Sequence, residues 1–320
     1  MSASKPVDVL LGTHTIGDAT LMPGVIHFDK KEDVASLLDA FHSHGYRQID
    51  TGRNYPGAED RLGQADAASR FTIHTKILGL GDGTLEAAQV HASIEASLKD
   101  LQTNHVETMF LHVPDRQTPF EETAKAMDAA QKQGKFTRFG LSNFTAAEVQ
   151  EYIDICERKG YTRPSVYQGH YNALVRGGEK DLFPVLRKNN MSFFAYSPAA
   201  GGLFSATTTS TSRWSKDSPI GQRYNDIYSH PALQSAVAAV QEAVQKHGID
   251  GHAAALRWTR FHSALDSKYG DGVIFGVSKM EQLHKTLDAL GAGPLPEDLA
   301  ELIGAVYKTV EGPGEPAYHL

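Results

Sequence analysis

Apolar residues gather in short blocks bounded by polar or turn-forming residues: VDVLLGT at 7–13, YRQID at 46–50, FTIHTKI at 71–77, VETMFLH at 106–112, FTRFGLS at 136–142, SVYQGHY at 165–171, MSFFAYS at 191–197 and DGVIFGV at 271–277. Blocks of this length and composition predict eight strands. Between them the apolar spacing takes a helical period. Val34, Leu37, Leu38 and Phe41 follow i, i+3, i+4, i+7 and stop at Gly45, and Ile94, Leu98 and Leu101 continue one face of 84–101. Thr118-Pro119-Phe120-Glu121 and Thr145-Ala146-Ala147-Glu148 have the capping-box pattern, with Gly134 and Gly160 placed as stops. Further helical patterns fall near 231–247, 252–262, 279–290 and 297–310. Strands alternating with helices eight times predict an α/β chain closed into a (β/α)8 barrel of the TIM type, a single domain over residues 1–320. A doubly wound sheet is the alternative.

The rhythm breaks after the seventh block. Residues 198–270 hold the polar run SATTTSTSRWSKDS, an extended loop that is either a solvated surface segment or a mobile cover for the strand-end face. The tail EGPGEPAYHL follows the last helical pattern and is expected near the same face.

Composition narrows the partners. At 320 residues and 41% hydrophobic the chain can bury a large core, and 31 Lys plus Arg against 38 Asp plus Glu give a net charge of −7. That balance offers no electrostatic reason to expect nucleic acid or an anionic membrane, though it leaves room for a local basic phosphate pocket. The one cysteine, Cys156, lies in a helical pattern and has no partner within the chain, which suits a reducing compartment. MSASKPVDVLLG shows no charged region followed by a long apolar run, so a cytoplasmic protein is expected.

In a (β/α)8 barrel the C-terminal strand ends converge on one face. Asp50 and Tyr55 after the second strand, Lys76 late in the third and His112 closing the fourth therefore meet. Together they suit proton transfer to a carbonyl oxygen. A phenol of pKa about 10 is a poor acid, and a neighbouring ammonium makes its proton easier to give. Lys76 would supply that charge, Asp50 would hold the lysine, and His112 would orient the carbonyl oxygen or share the proton.

DTGRNY, IHTKI and FLHVPD, with GKFTRFGLSNF, VYQGHYN, FFAYSPAAGGL and GVSKMEQL following in order, resemble the aldo-keto reductases almost end to end. LHVPD, VYQG and ALRW are most similar to the subgroup of aflatoxin-aldehyde and succinic-semialdehyde reductases. The resemblance implies a tetrad of Asp50, Tyr55, Lys76 and His112, and NADPH/NADP+ as cofactor. A nicotinamide needs carboxamide partners and a flat face, which Ser142, Asn143, Gln168 and Tyr196 can give; Ser197 is implied beside them. Gly276 and Ser278 open a helix whose N-terminus suits a phosphate, with Lys279 turning the expectation toward the 2′-phosphate and Gln282 and Arg223 implied as further contacts. Ser278-Lys279-Met280-Glu281 also reads as a plain capping box, and Arg213 rivals Arg223. No GxGxxG follows the first strand.

The chain departs from that family at Thr286, where relatives carry an asparagine near the adenine, and at FSATTT, where they carry a lysine. At AYHL it lacks the arginine that relatives offer to a substrate carboxylate. The expected activity is thus NADPH-dependent reduction of a neutral, aromatic or polycyclic aldehyde or ketone, with Tyr55 as proton donor. The partner is a small carbonyl compound, and a homodimer is compatible. Two readings stand beside it: a Schiff-base lyase or aldolase using Lys76, and a cofactor-bound regulatory subunit without turnover.

Overall fold

The computed structural model describes residues 6–205, 214–215, 219–312 and 314–320. Most of the Thr/Ser run, with Arg213, lies outside the described residues. The eight strands are β1 (Asp8–Gly12), β2 (Gln48–Asp50), β3 (Thr72–Lys76), β4 (Val106–Leu111), β5 (Phe136–Ser142), β6 (Pro164–His170), β7 (Ser192–Tyr196) and β8 (Gly272–Phe275). All pair in parallel with their sequence neighbours, and β1 pairs with β8 to close the barrel. Seven lie inside their predicted blocks, and β6 starts one residue ahead of its block.

The helices after β1 to β6 are α1 (Lys31–Ser43), α2 (Ala58–Gln64), α3 (Ala87–Asp100), α4 (Phe120–Lys132), α5 (Ala146–Lys159) and α6 (Leu182–Lys188). Between β7 and β8 lie α7 (Pro219–Tyr228), α8 (Pro231–Lys246) and α9 (Gly251–Phe261), and α10 (Met280–Gly291) and α11 (Glu297–Ala305) follow β8. Sequence patterning did not single out α7, which carries part of the site.

Alternation along the strands divides the core. Val9 and Leu11 join the large cluster between sheet and helices, whereas Leu10 faces inward with Phe110, Val166, Phe194 and Ile274. Gly140 makes room for that inner layer, since a Cβ there would stand 2.2 Å from Phe110 Cδ1.

One of the three capping boxes forms. Thr145 accepts from the Glu148 N–H, and Glu148 reaches back to the Thr145 N–H. At Thr118 the pattern misleads: the hydroxyl donates to Asp115 Oδ2 at 2.6 Å, and α4 starts behind Pro119 with no side-chain cap. At Ser278 the hydroxyl and backbone N–H both donate to Gln282 Oε1, at 2.9 and 2.8 Å, leaving Lys279 at the N-cap of α10 without a side-chain cap.

The β7–β8 seam has the shortest paired register of the barrel, two residue pairs. At its foot Asp271, fully buried, accepts from both Arg187 guanidinium nitrogens (2.9 and 2.5 Å), from Phe193 N (2.7 Å) and from Asp266 N (2.8 Å).

Candidate active site

The registers Asp50↔His74 and Lys76↔Phe110 bring β2, β3 and β4 side by side, with Lys76 two residues beyond the level of Asp50. On the inward faces this stacks two polar layers. In the lower one, His74 Nδ1 is 2.9 Å from Thr108 Oγ1 and Nε2 is 3.0 Å from Gln48 Oε1; Gln48 Nε2 in turn donates to Asp8. In the upper one, Lys76 Nζ donates to both Asp50 oxygens at 2.8 Å and to Thr51 O at 2.7 Å, and lies 3.5 Å from the Tyr55 hydroxyl. Gln168 Nε2 donates to Asp50 Oδ1 at 2.7 Å from β6, across the barrel.

Tyr55 owes its place to the turn after β2. Asn54 closes a reciprocal amide pair with Gly79, its Nδ2 donating to the carbonyl and its Oδ1 accepting from the N–H, each at 2.9 Å. Arg53 N donates to Lys76 O, and the Arg53 side chain bridges Glu59 and Asp100. Gly57 then turns at φ +78°, where a Cβ would stand 2.8 Å from Asp18 N. The turn is thereby tied to the exit loop of β3 and to α2 and α3, so the phenol is aimed by its neighbours.

Two imidazoles meet the Tyr55 ring edge to face: His112 with centroids 5.9 Å apart and His14, at the exit of β1, with centroids 5.0 Å apart. Burial and the nearby positive charges of Lys76, His14 and Arg223 pull the His112 pKa down to about 3. It is therefore neutral near pH 7, with no extra proton to share. Its buried Nδ1 has no partner among the described residues. Burial raises the Tyr55 pKa; Lys76 pulls the other way, as expected from the sequence, and is outweighed. The phenol thus stays protonated, in the donor form. Burial alone would lower Lys76, but Asp50 and Tyr55 together outweigh it and the pKa is raised, which fixes the ammonium.

On the neighbouring strands, Asn143 takes φ +67° and donates from Nδ2 to His112 O (2.9 Å) and Ser142 Oγ (3.0 Å), while its Oδ1 accepts from the Tyr196 hydroxyl at 2.8 Å. Ser197 lies 3.1 Å, hydroxyl to hydroxyl, from Tyr224 of α7. Arg223, on the same helix, is exposed, and its charge acts on His112, His170 and Tyr196. Gly276, Ser278, Lys279 and Gln282 form a separate group at the exit of β8, exposed except for the half-buried Ser278. Thr286 is 2% exposed, its hydroxyl 3.4 Å from His252 Nε2.

The tail packs beside Asn143. Leu320 N donates to Asn143 O at 3.0 Å, Arg116 donates to Leu320 O at 2.8 Å, and the Tyr318 hydroxyl donates to Asp181 and accepts from Ala146 N.

Sequence reasoning missed His14, His170, Tyr224 and Tyr228. The first two stand at strand exits, in GTHT and YQGHYN, and the strand-end argument that found Asp50 would have reached them. Tyr224 and Tyr228 carry no such signal, because α7 was not recognised.

The arrangement sets a phenol beside an ammonium held by a carboxylate, with a neutral imidazole against the phenol ring. The profile of the Aldo/keto reductase family matches residues 8–308. The chain is 36% identical over 282 residues to human aldo-keto reductase family 7 member A3, covering 82% of this chain and 84% of the relative. It is 35% identical over 280 residues to human aflatoxin B1 aldehyde reductase member 2, covering 82% and 78%, and 35% identical over 288 residues to an aldo-keto reductase of Pseudocercospora fijiensis, covering 86% and 97%. With a closed eight-stranded barrel and a match over nearly its whole length, the chain belongs to the aldo/keto reductase family.

Proposed function

We propose that the protein reduces a neutral aldehyde or ketone to the alcohol with NADPH, Tyr55 giving the proton to the carbonyl oxygen. The observation that carries this is the Lys76 ammonium clamped between Asp50 and Thr51 O, 3.5 Å from the Tyr55 hydroxyl. The names of the relatives, aflatoxin B1 aldehyde reductases among them, support an aldehyde as substrate class.

The residues fit a nicotinamide dinucleotide. Asn143 offers an amide bonded to the hydroxyl of the half-buried Tyr196, Gln168 offers a second amide from the adjacent strand β6, and the uncapped α10 N-terminus with the exposed Lys279 suits a phosphate. Gln282 Oε1 already presents an acceptor oxygen to Ser278 N and Oγ, the donors a phosphate would use. When bound, the reduced nicotinamide supplies the hydride. The protein's own part is to hold the carbonyl near Tyr55, to donate the phenolic proton as negative charge builds on the oxygen, and to stabilise the resulting phenolate with Lys76. His112, neutral, acts as a hydrogen-bonding group toward that oxygen.

A Schiff-base mechanism is disfavoured on this geometry. A nucleophilic lysine needs a lowered pKa, whereas Lys76 is ion-paired and its pKa is raised. Tyr55→Phe should lower kcat by at least about 10²-fold with NADPH affinity nearly unchanged. A near-normal kcat in that variant would remove Tyr55 from the role.

A further inference from the structure

His170 ends β6 and is 5% exposed. Its ring lies parallel to that of Tyr196, with centroids 5.3 Å apart and planes 10° apart. Tyr228 of α7 meets it edge-on at 6.0 Å and places its hydroxyl 2.8 Å from Nε2.

The proton positions along this contact can be assigned. Asn172 Oδ1 accepts from the N–H groups of Leu174 (2.9 Å) and Val175 (3.2 Å), so the amide nitrogen must face the other way. Its two protons go to the nearer acceptors, Ser197 O (3.0 Å) and the Tyr228 oxygen (3.1 Å), and the same nitrogen lies 3.4 Å from His170 Nε2, which as a neighbour of a donor must itself be an acceptor. Tyr228 therefore receives one hydrogen bond and has its own proton left for His170. The acceptor there is Nε2, so the imidazole is neutral and carries its hydrogen on Nδ1. Burial, reinforced by the charge of Arg223, holds the pKa of His170 down to about 3, in agreement with that assignment.

The Tyr196 ring is thus fixed at two points. Its hydroxyl is tied to Asn143 Oδ1 at 2.8 Å, and its rear face rests on a flat ring locked in one tautomer by a residue of α7. We propose that His170 is a positioning residue that sets the plane of Tyr196, and hence the stacking platform for the cofactor's nicotinamide, with Tyr228 holding His170 in turn. This rests on the cofactor reading above. It adds that docking of α7 and the quality of that platform are linked through one imidazole.

The test compares NADPH with 2′,5′-ADP, which keeps the adenosine phosphates and lacks the nicotinamide half, in direct binding titrations. His170→Ala opens a void behind Tyr196. It should weaken NADPH binding about five- to tenfold, the scale of one lost aromatic stacking contact, and leave 2′,5′-ADP within about twofold. His170→Phe should restore most of the NADPH affinity, because it refills the void with a flat ring. Equal losses for both ligands in a folded His170→Ala protein, or no loss for either, would overturn the proposal. If that variant does not fold, Tyr228→Phe decides, since it removes only the hydroxyl that orients the imidazole: a loss confined to NADPH supports the proposal and unchanged NADPH binding overturns it. Failure of the unmutated chain to bind NADPH would overturn the cofactor reading itself, a result visible before any variant is made.

Discussion

Lys76→Met separates the structural from the chemical work of the buried ion pair. In the folded protein Lys76 is 0% and Asp50 2% exposed, and the ammonium places three short hydrogen bonds on Asp50 and Thr51 O. Methionine matches the length of the stem and supplies no donor. Gln168 Nε2 remains as a partner for Asp50 Oδ1, and Oδ2 loses the ammonium. Breaking a buried pair by removing one member costs about 3–5 kcal/mol, so the variant should unfold at markedly lower urea. Asp50→Asn should relieve much of this: the double variant should be less destabilised than the sum of the singles, with a coupling of about 1–3 kcal/mol. The sign of the pH dependence follows. An unpaired buried carboxyl binds its proton more tightly in the folded state than the unfolded value of about 3.9. The variant's deficit should then be greatest near neutral pH and shrink as pH falls through that raised pKa. Urea unfolding followed by circular dichroism near pH 7 and at mildly acidic pH measures both. A deficit below about 1 kcal/mol, or strict additivity with Asp50→Asn, would refute the reasoning. In the same variant kcat should fall while NADPH affinity holds, because the charge that stabilises the Tyr55 phenolate is gone.

Lys279→Ala should weaken NADPH by about 1–3 kcal/mol and leave NADH nearly untouched, and equal losses in titrations with the two cofactors would show that Lys279 does not face a 2′-phosphate. His74, His112 and His170 are buried with pKa values lowered to about 3, against about 6.5 unfolded. Below about 6.5 the unfolded chain takes up protons that these folded imidazoles refuse, so the three should remove up to about 4.1 kcal/mol of stability per pH unit on acidification, with the loss continuing to about 3. Unfolding free energies measured between neutral pH and mild acid check this, and a flat profile would refute it. Removing residues 318–320 takes away the bonds to Asn143 O, Asp181 and Ala146 N; it should raise the carbonyl KM several-fold and alter substrate ranking with kcat changed by less than about threefold. A kcat/KM for succinic semialdehyde above that of every neutral aromatic aldehyde would contradict the neutral-substrate reading.

The barrel was legible because each strand is buried on both faces and so writes a continuous apolar block, while the exit of each block marks the functional rim. Asp50, Tyr55, Lys76 and His112 could be placed on that rim without knowing a single side-chain direction. Caps were less legible. Thr118 and Thr145 carry the same local pattern, but a carboxylate three residues before Thr118 competes for its hydroxyl, and only the fold shows that Asp115 is turned toward it. The Gln168–Asp50 bond spans 118 residues and the Tyr318 contact to Ala146 spans 172, distances over which no periodicity speaks. Helix α7 was missed because its inward contacts come from Tyr224 and Tyr228 behind a polar run rather than from a regular aliphatic stripe.

Asp271 lies at the foot of β8, on the rim opposite the chemistry, and it pins the seam with the shortest paired register. In hydrogen-exchange terms the β7–β8 amides should then be gated by one carboxylate, whereas those of β4–β5 and β6–β7 are protected by longer ladders. Tyr196 closes β7, so a change at Asp271 should reach the end of that strand through the two-pair seam. One buried carboxylate at the far end of the sheet should therefore set how readily this seam opens, beside a β6–β7 ladder of five pairs.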